Sequence, residues 1–403
     1  MDESRHVIEA LRSGIPSRTV GKYFSEARPQ MLRLVSDMMN DVLDGGDSRS
    51  MIYTGRYGEG KTHLLNTVFS MAHENNMVVS ILPISKEAPL DKIQEIYPQI
   101  MANTYLPGRE QPGFLDLLNR MSLNSQESAE LQLFAARELE CDKLYYILRT
   151  YLNTRNEELK YSLRMDFEGN FYDMKQVKKA YKELFKETVH MNRNFSKTKH
   201  GMDYICFLSA LFKAMHYQGW VILFDECEMI GRFPRKQRMN CYRNLAKFLK
   251  PTPALKSTMT LFAFSSSYTE EVIDKKHDLD TFQAVFPDEV SAGHGAINAI
   301  INAHSLPALT YQEIEQVVGR ILEFHGKAYH WEPDVTVEEL MKVTENSGML
   351  LRTKLRASIE YLDQVFQYGK PGRTTVGSLN SGSYEEMKMA DDVPSLEDLK
   401  DDE

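Results

Sequence analysis

The chain has 403 residues, 42% of them hydrophobic and 26% charged, with a formal net charge of −9. That composition fits an ordinary globular protein long enough for two or three domains. It contains no apolar run of membrane-spanning length and no basic start followed by an apolar stretch of the kind that marks a signal peptide. The four cysteines, Cys141, Cys206, Cys227 and Cys241, lie far apart with no CxxC pair, which excludes a disulfide framework or a zinc site and suits a cytoplasmic protein.

Charge is unevenly spread. Residues 371–403 carry nine acids against Arg373, Lys388 and Lys400, a net of −6, with few apolar residues; they are expected to form a disordered acidic tail. Two stretches run the other way. Residues 175–199 have eight Lys or Arg against Glu183 and Glu187, and residues 229–269 have eight Lys or Arg and no acid. Such stretches are solvated helix faces or anion-binding surfaces.

In chain order, residues 1–50 show apolar residues at helical spacing (Val7, Ile8, Leu11; Met31, Leu32, Leu34, Val35, Met38, Met39, Val42, Leu43), closed by Gly45-Gly46-Asp47-Ser48. An apolar strand is expected at Ser50–Thr54. A glycine loop follows, then a helix over 62–74 with Leu64, Leu65, Val68, Phe69 and Ala72 on one side, and a second strand at 77–84. Strand, loop, helix and strand make a parallel βαβ unit. Residues 85–204 read as a long helical insertion with stripes at Leu131, Phe134, Ala135, Leu139 and at Val177, Tyr181, Leu184, Phe185. Near-continuous apolar runs at 219–224 and 260–264 suit strands buried on both faces. Residues 310–367 are helical again. The expected architecture is therefore α/β: a helical segment over 1–50, a core over 51–305 with a parallel sheet, the glycine loop and the insertion, and a C-terminal α-helical lid over 306–370.

Gly55-Arg56-Tyr57-Gly58-Glu59-Gly60-Lys61-Thr62 matches G-x-x-x-x-G-K-[ST]. Its glycines let the backbone curl so that several N–H groups face one anion, and the following helix adds the positive end of its dipole. Gly55, Tyr57, Gly58, Glu59 and Gly60 are read as lining a nucleotide, ATP with magnesium. Lys61 reaches the β- and γ-phosphates, and Thr62 ligates Mg2+. The strand before the loop and the amphipathic helix after it supply the context that separates this motif from a glycine-rich surface turn.

Asp225-Glu226 closes the apolar run at 219–224. A carboxylate there can hold the magnesium, and an adjacent one can polarise the attacking water. Asp225 is assigned to the metal and Glu226 to catalysis, against the alternative of an acidic loop start. Ser265 and Ser266 follow the 260–264 strand, where a hydroxyl would sense the γ-phosphate or simply end the strand. In the lid, Gly348-Met349-Leu350-Leu351-Arg352 opens a helix, and Arg352 is read as a phosphate partner when the lid closes. The run Arg232, Arg235, Lys236, Arg238, Arg243, Lys247, Lys250 either binds nucleic acid, supplies an arginine to a neighbouring subunit, or is a solvated face.

These motifs, in this order, resemble the AAA+ ATPases. The match is closer to the BREX-system ATP-binding proteins, the BrxD-like group. It rests on the opening Leu11-Arg12-Ser13-Gly14-Ile15-Pro16-Ser17-Arg18, on Lys61-Thr62-His63-Leu64-Leu65 after the glycines, and on Phe224-Asp225-Glu226-Cys227-Glu228. The resemblance implies a prokaryotic anti-phage defence component: an ATP-hydrolysing switch or loader, with a helicase or another defence subunit as partner on DNA. It adds His63 to the nucleotide-binding segment and puts Arg18 beside the base or phosphate. An ATP-dependent oligomer belongs to the same expectation. Basic surfaces near 175–199 and 232–250 would meet the DNA. Two departures stand out. No arginine lies between Arg243 and Arg320, where such ATPases carry the one that completes a neighbour's site. The 33 residues after the lid also leave no room for a winged-helix domain. The competing readings are a regulatory ATP-binding scaffold with little hydrolysis and a helicase loader outside defence; a small-molecule kinase fits the Asp225-Glu226 pair poorly.

Overall fold

The computed structural model describes residues 3–14, 17–25, 27–347 and 350–369. The expected acidic tail, and Gly348-Met349 ahead of Arg352, lie outside the described residues, as do Ile15-Pro16 of the opening segment.

The centre is a six-stranded sheet of β1 (Arg49–Gly55), β2 (Met77–Pro83), β3 (Thr104–Tyr105), β4 (Gly219–Asp225), β5 (Thr258–Ser265) and β6 (His304–Ser305), in the order β3-β2-β4-β5-β1-β6. All neighbours are parallel except β3, which runs antiparallel along the β2 edge through Val79↔Tyr105 and Ser80↔Thr104. The expected sheet is thus present with one antiparallel addition. Neither β3 nor β6 announces itself in the sequence, because two-residue strands have no periodicity to read.

The central strands are apolar throughout because both faces are covered. Tyr53, Val79, Val221, Leu223, Leu261 and Ala263 point to one face, against Val35, Met39, Leu65 and Val68 of α3 (Pro29–Gly45) and α4 (Lys61–Glu74). Ile52, Val78, Trp220, Ile222, Phe224, Phe262 and Phe264 point to the other face. That face is covered by helices of the long segment between β2 and β4, together with α12 (Arg235–Leu249), α13 (Asp278–Val285) and α14 (Val290–Ile301).

The β2–β4 segment folds as α5 (Ile93–Ala102), α6 (Asp116–Arg120), α7 (Gln126–Arg137), α8 (Lys143–Asn153), α9 (Glu157–Met165), α10 (Met174–Phe185) and α11 (Gly201–Ala214). Its interior holds a buried ion pair. Lys143 Nζ lies 2.7 Å from Asp166 Oδ2, and Asp166 also accepts from Tyr204 Oη at 2.7 Å and from the amide of Tyr172. Of the apolar stripe expected on α10, Val177 and Tyr181 are buried, while Leu184 is exposed.

A third cluster joins the two ends of the described chain. Val7 and Ile8 of α1 (Glu3–Ser13), Val20 of α2 (Arg18–Tyr23) and Phe24 pack against Val318 and Ile321 of α15 (Tyr311–Tyr329), Leu340 of α16 (Val337–Asn346) and Ile359 and Leu362 of α17 (Leu351–Tyr368). Arg12 seals it, its Nε 3.0 Å and Nη2 2.6 Å from the two carboxylate oxygens of Asp363. The helical pattern over residues 1–50 is therefore divided, with α1 on the C-terminal helices, α2 between them and α4, and α3 on the sheet. An amphipathic stripe shows that a face is buried but not against what. Among the described residues no helix is long and apolar enough to cross a membrane.

Candidate functional site

From β1 the chain passes towards β2 by α4 on one face of the sheet, and from β5 it passes towards β6 by α13 and α14 on the other, so the connections from adjacent strands β1 and β5 leave in opposite directions. Ligands bind at such switch points in open α/β sheets. The register brings Gly55 level with Ser265 and Pro83 level with Asp225, so the loop after β1 and the ends of β4 and β5 share one edge of the sheet.

The loop needs glycine at two positions: Gly58 has φ +77° and Gly60 φ +96°, the left-handed region that other side chains adopt at a cost. Gly60 leads into α4, whose N-terminal dipole faces the loop. Lys61 is buried, and its Nζ donates to Gly55 O at 3.2 Å. Tyr53 Oη donates to Lys61 O at 2.9 Å, fastening the loop to the strand that precedes it.

Thr62 Oγ1 donates to Asp225 Oδ2 at 2.6 Å, and the other oxygen, Oδ1, accepts from the amide of Glu226 at 2.9 Å. The hydroxyl and carboxylate that the sequence assigns to a metal thus meet. An oxygen donor set of this kind suits a hard cation such as magnesium. Glu226 has left-handed backbone (φ 51°, ψ 36°), which reverses the chain into the Cys227–Arg232 turn. Glu226 is exposed. Desolvation, with the charges of Asp225 and Glu228, holds its carboxyl above the usual glutamate range, and Lys61 and Arg232 oppose the shift.

Ser266 N donates to Gly55 O at 3.2 Å, which puts the β5–loop junction beside the same carbonyl that holds Lys61. Ser265 Oγ pairs with Ser267 Oγ at 3.1 Å. Arg352, remote in sequence, reaches the loop. Its amide donates to Gly58 O at 3.4 Å, Nη1 lies 3.4 Å from Tyr57 Oη, and the guanidinium stands 5.4 Å from the centre of the Tyr57 ring. Glu59 folds back on the loop, its Oε2 accepting from the Arg56 amide at 3.3 Å.

Two residues are not brought to this group. Arg18 packs over the rings of Tyr105 (4.3 Å) and Phe69 (5.1 Å), two turns along α4 from Lys61, and donates to Glu110 O. His63 follows Thr62 by one position, about 100° round the helix. Its Nε2 lies 3.0 Å from Phe24 O, and desolvation lowers its imidazole pKa.

Sequence reasoning passed over Arg28. It is buried, and its Nε donates to Pro307 O at 2.7 Å while Nη2 donates to Glu59 O in the glycine loop. Its amide donates at 2.7 Å to Glu313, the residue that completes the N-terminal capping box of α15. Through its side chain and its amide, one residue thus ties the loop to the start of the C-terminal helices. Its left-handed backbone (φ 60°, ψ 58°) directly before Pro29 is a conformation no local pattern predicts.

One member of the basic run at 232–250 is not a surface charge. Arg238 is buried, bonded through Nε and Nη2 to Asp278 (3.0 and 2.8 Å) and through Nη1 to Phe233 O, with Tyr242 Oη also on Asp278. It is a core ion pair, reached because α12 lies against α13. Arg243 lies over the Phe286 ring at 4.6 Å, leaving Arg232, Arg235, Lys236 and Lys250 exposed. In the other basic stretch Lys175, Lys178, Lys179, Lys182 and Lys186 are all exposed along α10, opposite its buried Val177 and Tyr181.

A family model described as "BREX system ATP-binding protein BrxC/D" matches residues 1–138 and 177–371. No curated protein matches the chain.

Proposed function

Because the chain belongs to the BREX system ATP-binding protein BrxC/D family, we propose that it is a P-loop ATPase of the AAA+ type that binds Mg-ATP in the 55–62 loop and hydrolyses it as a switch or loader in that phage-defence system. The observation that carries this reading is the 2.6 Å contact between Thr62 and Asp225, which unites the end of the glycine loop with the tip of a strand two places away.

In this reading the loop amides and Lys61 hold the phosphates. Thr62 and Asp225 would hold the magnesium, which neutralises charge on the phosphate oxygens. Glu226 orients the attacking water and accepts its proton, a role suited to a carboxyl held above the ordinary range by its surroundings. Ser265 and Ser266 lie where β5 meets the loop and would contact the γ-phosphate. Arg352 approaches from the α-helical lid, α15–α17, and Arg28 links the loop to that lid. The partners proposed are other subunits of the system, a helicase among them, with DNA phosphates on the lysine face of α10.

A second reading, an ATP-binding scaffold with little hydrolysis, is favoured by one feature. No arginine lies between Arg243 and Arg320, and Arg238 is spent on Asp278. An arginine supplied by a partner would reconcile the two. The deciding experiment is steady-state ATP hydrolysis by the wild type and Glu226→Gln, with and without DNA and across protein concentration. Turnover that drops on the order of a hundredfold or more in Glu226→Gln, with nucleotide binding kept, supports the ATPase. Tight ATP binding without turnover under every condition overturns it in favour of the scaffold.

A further inference from the structure

The mechanism above uses Asp225 and Glu226 and leaves Glu228 without a role. The Cys227–Arg232 turn that follows left-handed Glu226 is pinned by Cys227, a wholly buried residue whose thiol donates to Phe224 O at 3.5 Å. That anchor directs Glu228 back towards the glycine loop. Its Oε1 lies 3.5 Å from Lys61 Nζ, with the lysine side chain only 8% exposed. Its Oε2 is buried and has no hydrogen-bond partner among the described residues. A carboxylate oxygen left in that condition is unfavourable, and its compensation comes from the ammonium that the nucleotide's phosphates would also engage.

The charge balance at the strand tips sharpens the point. Asp225, Glu226 and Glu228 put three carboxylates within four residues of the β4 tip. Asp225 takes the Thr62 hydroxyl and Glu226 is exposed; the third, Glu228, is spent on the ammonium of Lys61. Polyanionic phosphates entering the loop must take Lys61 from Glu228 and then remain beside its charge, in surroundings that screen poorly.

We propose that Glu228 is a counter-ion that competes with the nucleotide's phosphates for Lys61 and thereby sets how loosely the site holds a nucleoside diphosphate. The proposal rests on the reading of residues 55–62 as the phosphate-binding loop. It makes Glu228 a positioning residue, acting through Lys61, and it predicts a direction that mere structural support would not: removal of the charge strengthens binding.

The test is calorimetric titration of the full chain with ADP, comparing wild type, Glu228→Gln and the near-isosteric Glu228→Met, each checked for an unchanged thermal melting curve without nucleotide. Both substitutions should tighten ADP binding about tenfold, the equivalent of about 1.4 kcal/mol. The second variant serves if the first does not fold. An affinity unchanged within about twofold, or weakened, in a folded variant overturns the proposal, since Glu228 would then be a prop for the loop. A wild type that binds neither ADP nor ATP overturns the phosphate-loop reading itself, and the role of Glu228 with it, whereas binding without tightening removes only the latter.

Discussion

Two regions of this protein bury charge, and they do so differently. Inside the β2–β4 helices, Asp166 accepts from Lys143, Tyr204 and the Tyr172 amide, and both members of the ion pair are at most 1% exposed. At the strand tips, Lys61 is also buried but shares its ammonium between Gly55 O and Glu228, and Glu228 keeps one oxygen without a partner among the described residues. A saturated network has nothing left to offer a ligand, so its value is structural. An incompletely paired one, beside the glycine loop proposed to take the phosphates, keeps capacity for chemistry. Buried charge alone therefore does not mark a site; the balance of donors and acceptors around it does.

The largest effect expected from that contrast is on stability. Asp166→Ala leaves Lys143 buried and unpaired and should cost about 3–5 kcal/mol in chemical denaturation. A loss below about 1 kcal/mol would mean that the helical region does not depend on its ion pair. Lys61→Ala should behave in the opposite way. It should weaken ATP binding on the order of a hundredfold, about 2.7 kcal/mol, measured by titration, with little change in the denaturation midpoint. Equal losses of folding and binding would erase the distinction between the regions.

The smallest effect concerns Asp203 at the start of α11, which accepts from the amides of Glu140 (3.1 Å) and Cys141 (2.9 Å). Desolvation pushes its pKa up to about 6, against the pull of those amides. The folded state then holds the proton more tightly than the unfolded chain. Its stabilisation is complete below about pH 4 and is lost as pH rises through about 6. Asp203→Asn removes this term, so the variant should gain roughly 1–2 kcal/mol on the wild type between pH 4 and pH 7. Parallel stability curves for the two proteins across that range would show that burial at this position carries no charge penalty.

Much of the fold was legible because its signals are local. Runs such as Val221-Ile222-Leu223-Phe224 read as strands buried on both faces, and β4 and β5 extend the expected 219–224 and 260–264 by no more than two residues at either end. The glycine loop was legible because left-handed backbone at Gly58 and Gly60 demands glycine and leaves a pattern in the sequence. Asp225 and Glu226 could be singled out because they end an apolar strand.

What the sequence alone determined was this local grammar: which segments form strands and helices, where the loop turns, and which polar residues stand at strand ends. What only the tertiary structure decided was who meets whom. It divided the first 50 residues between two cores, took Arg238 out of the basic surface and gave it to Asp278, turned His63 towards Phe24, and brought Arg28 and Arg352 to the glycine loop. It also set Glu228 against Lys61. The physical reason is that periodicity and turn chemistry act within a few residues, whereas an ion pair between residues 61 and 228 depends on strand order, and strand order is fixed by packing the whole chain at once.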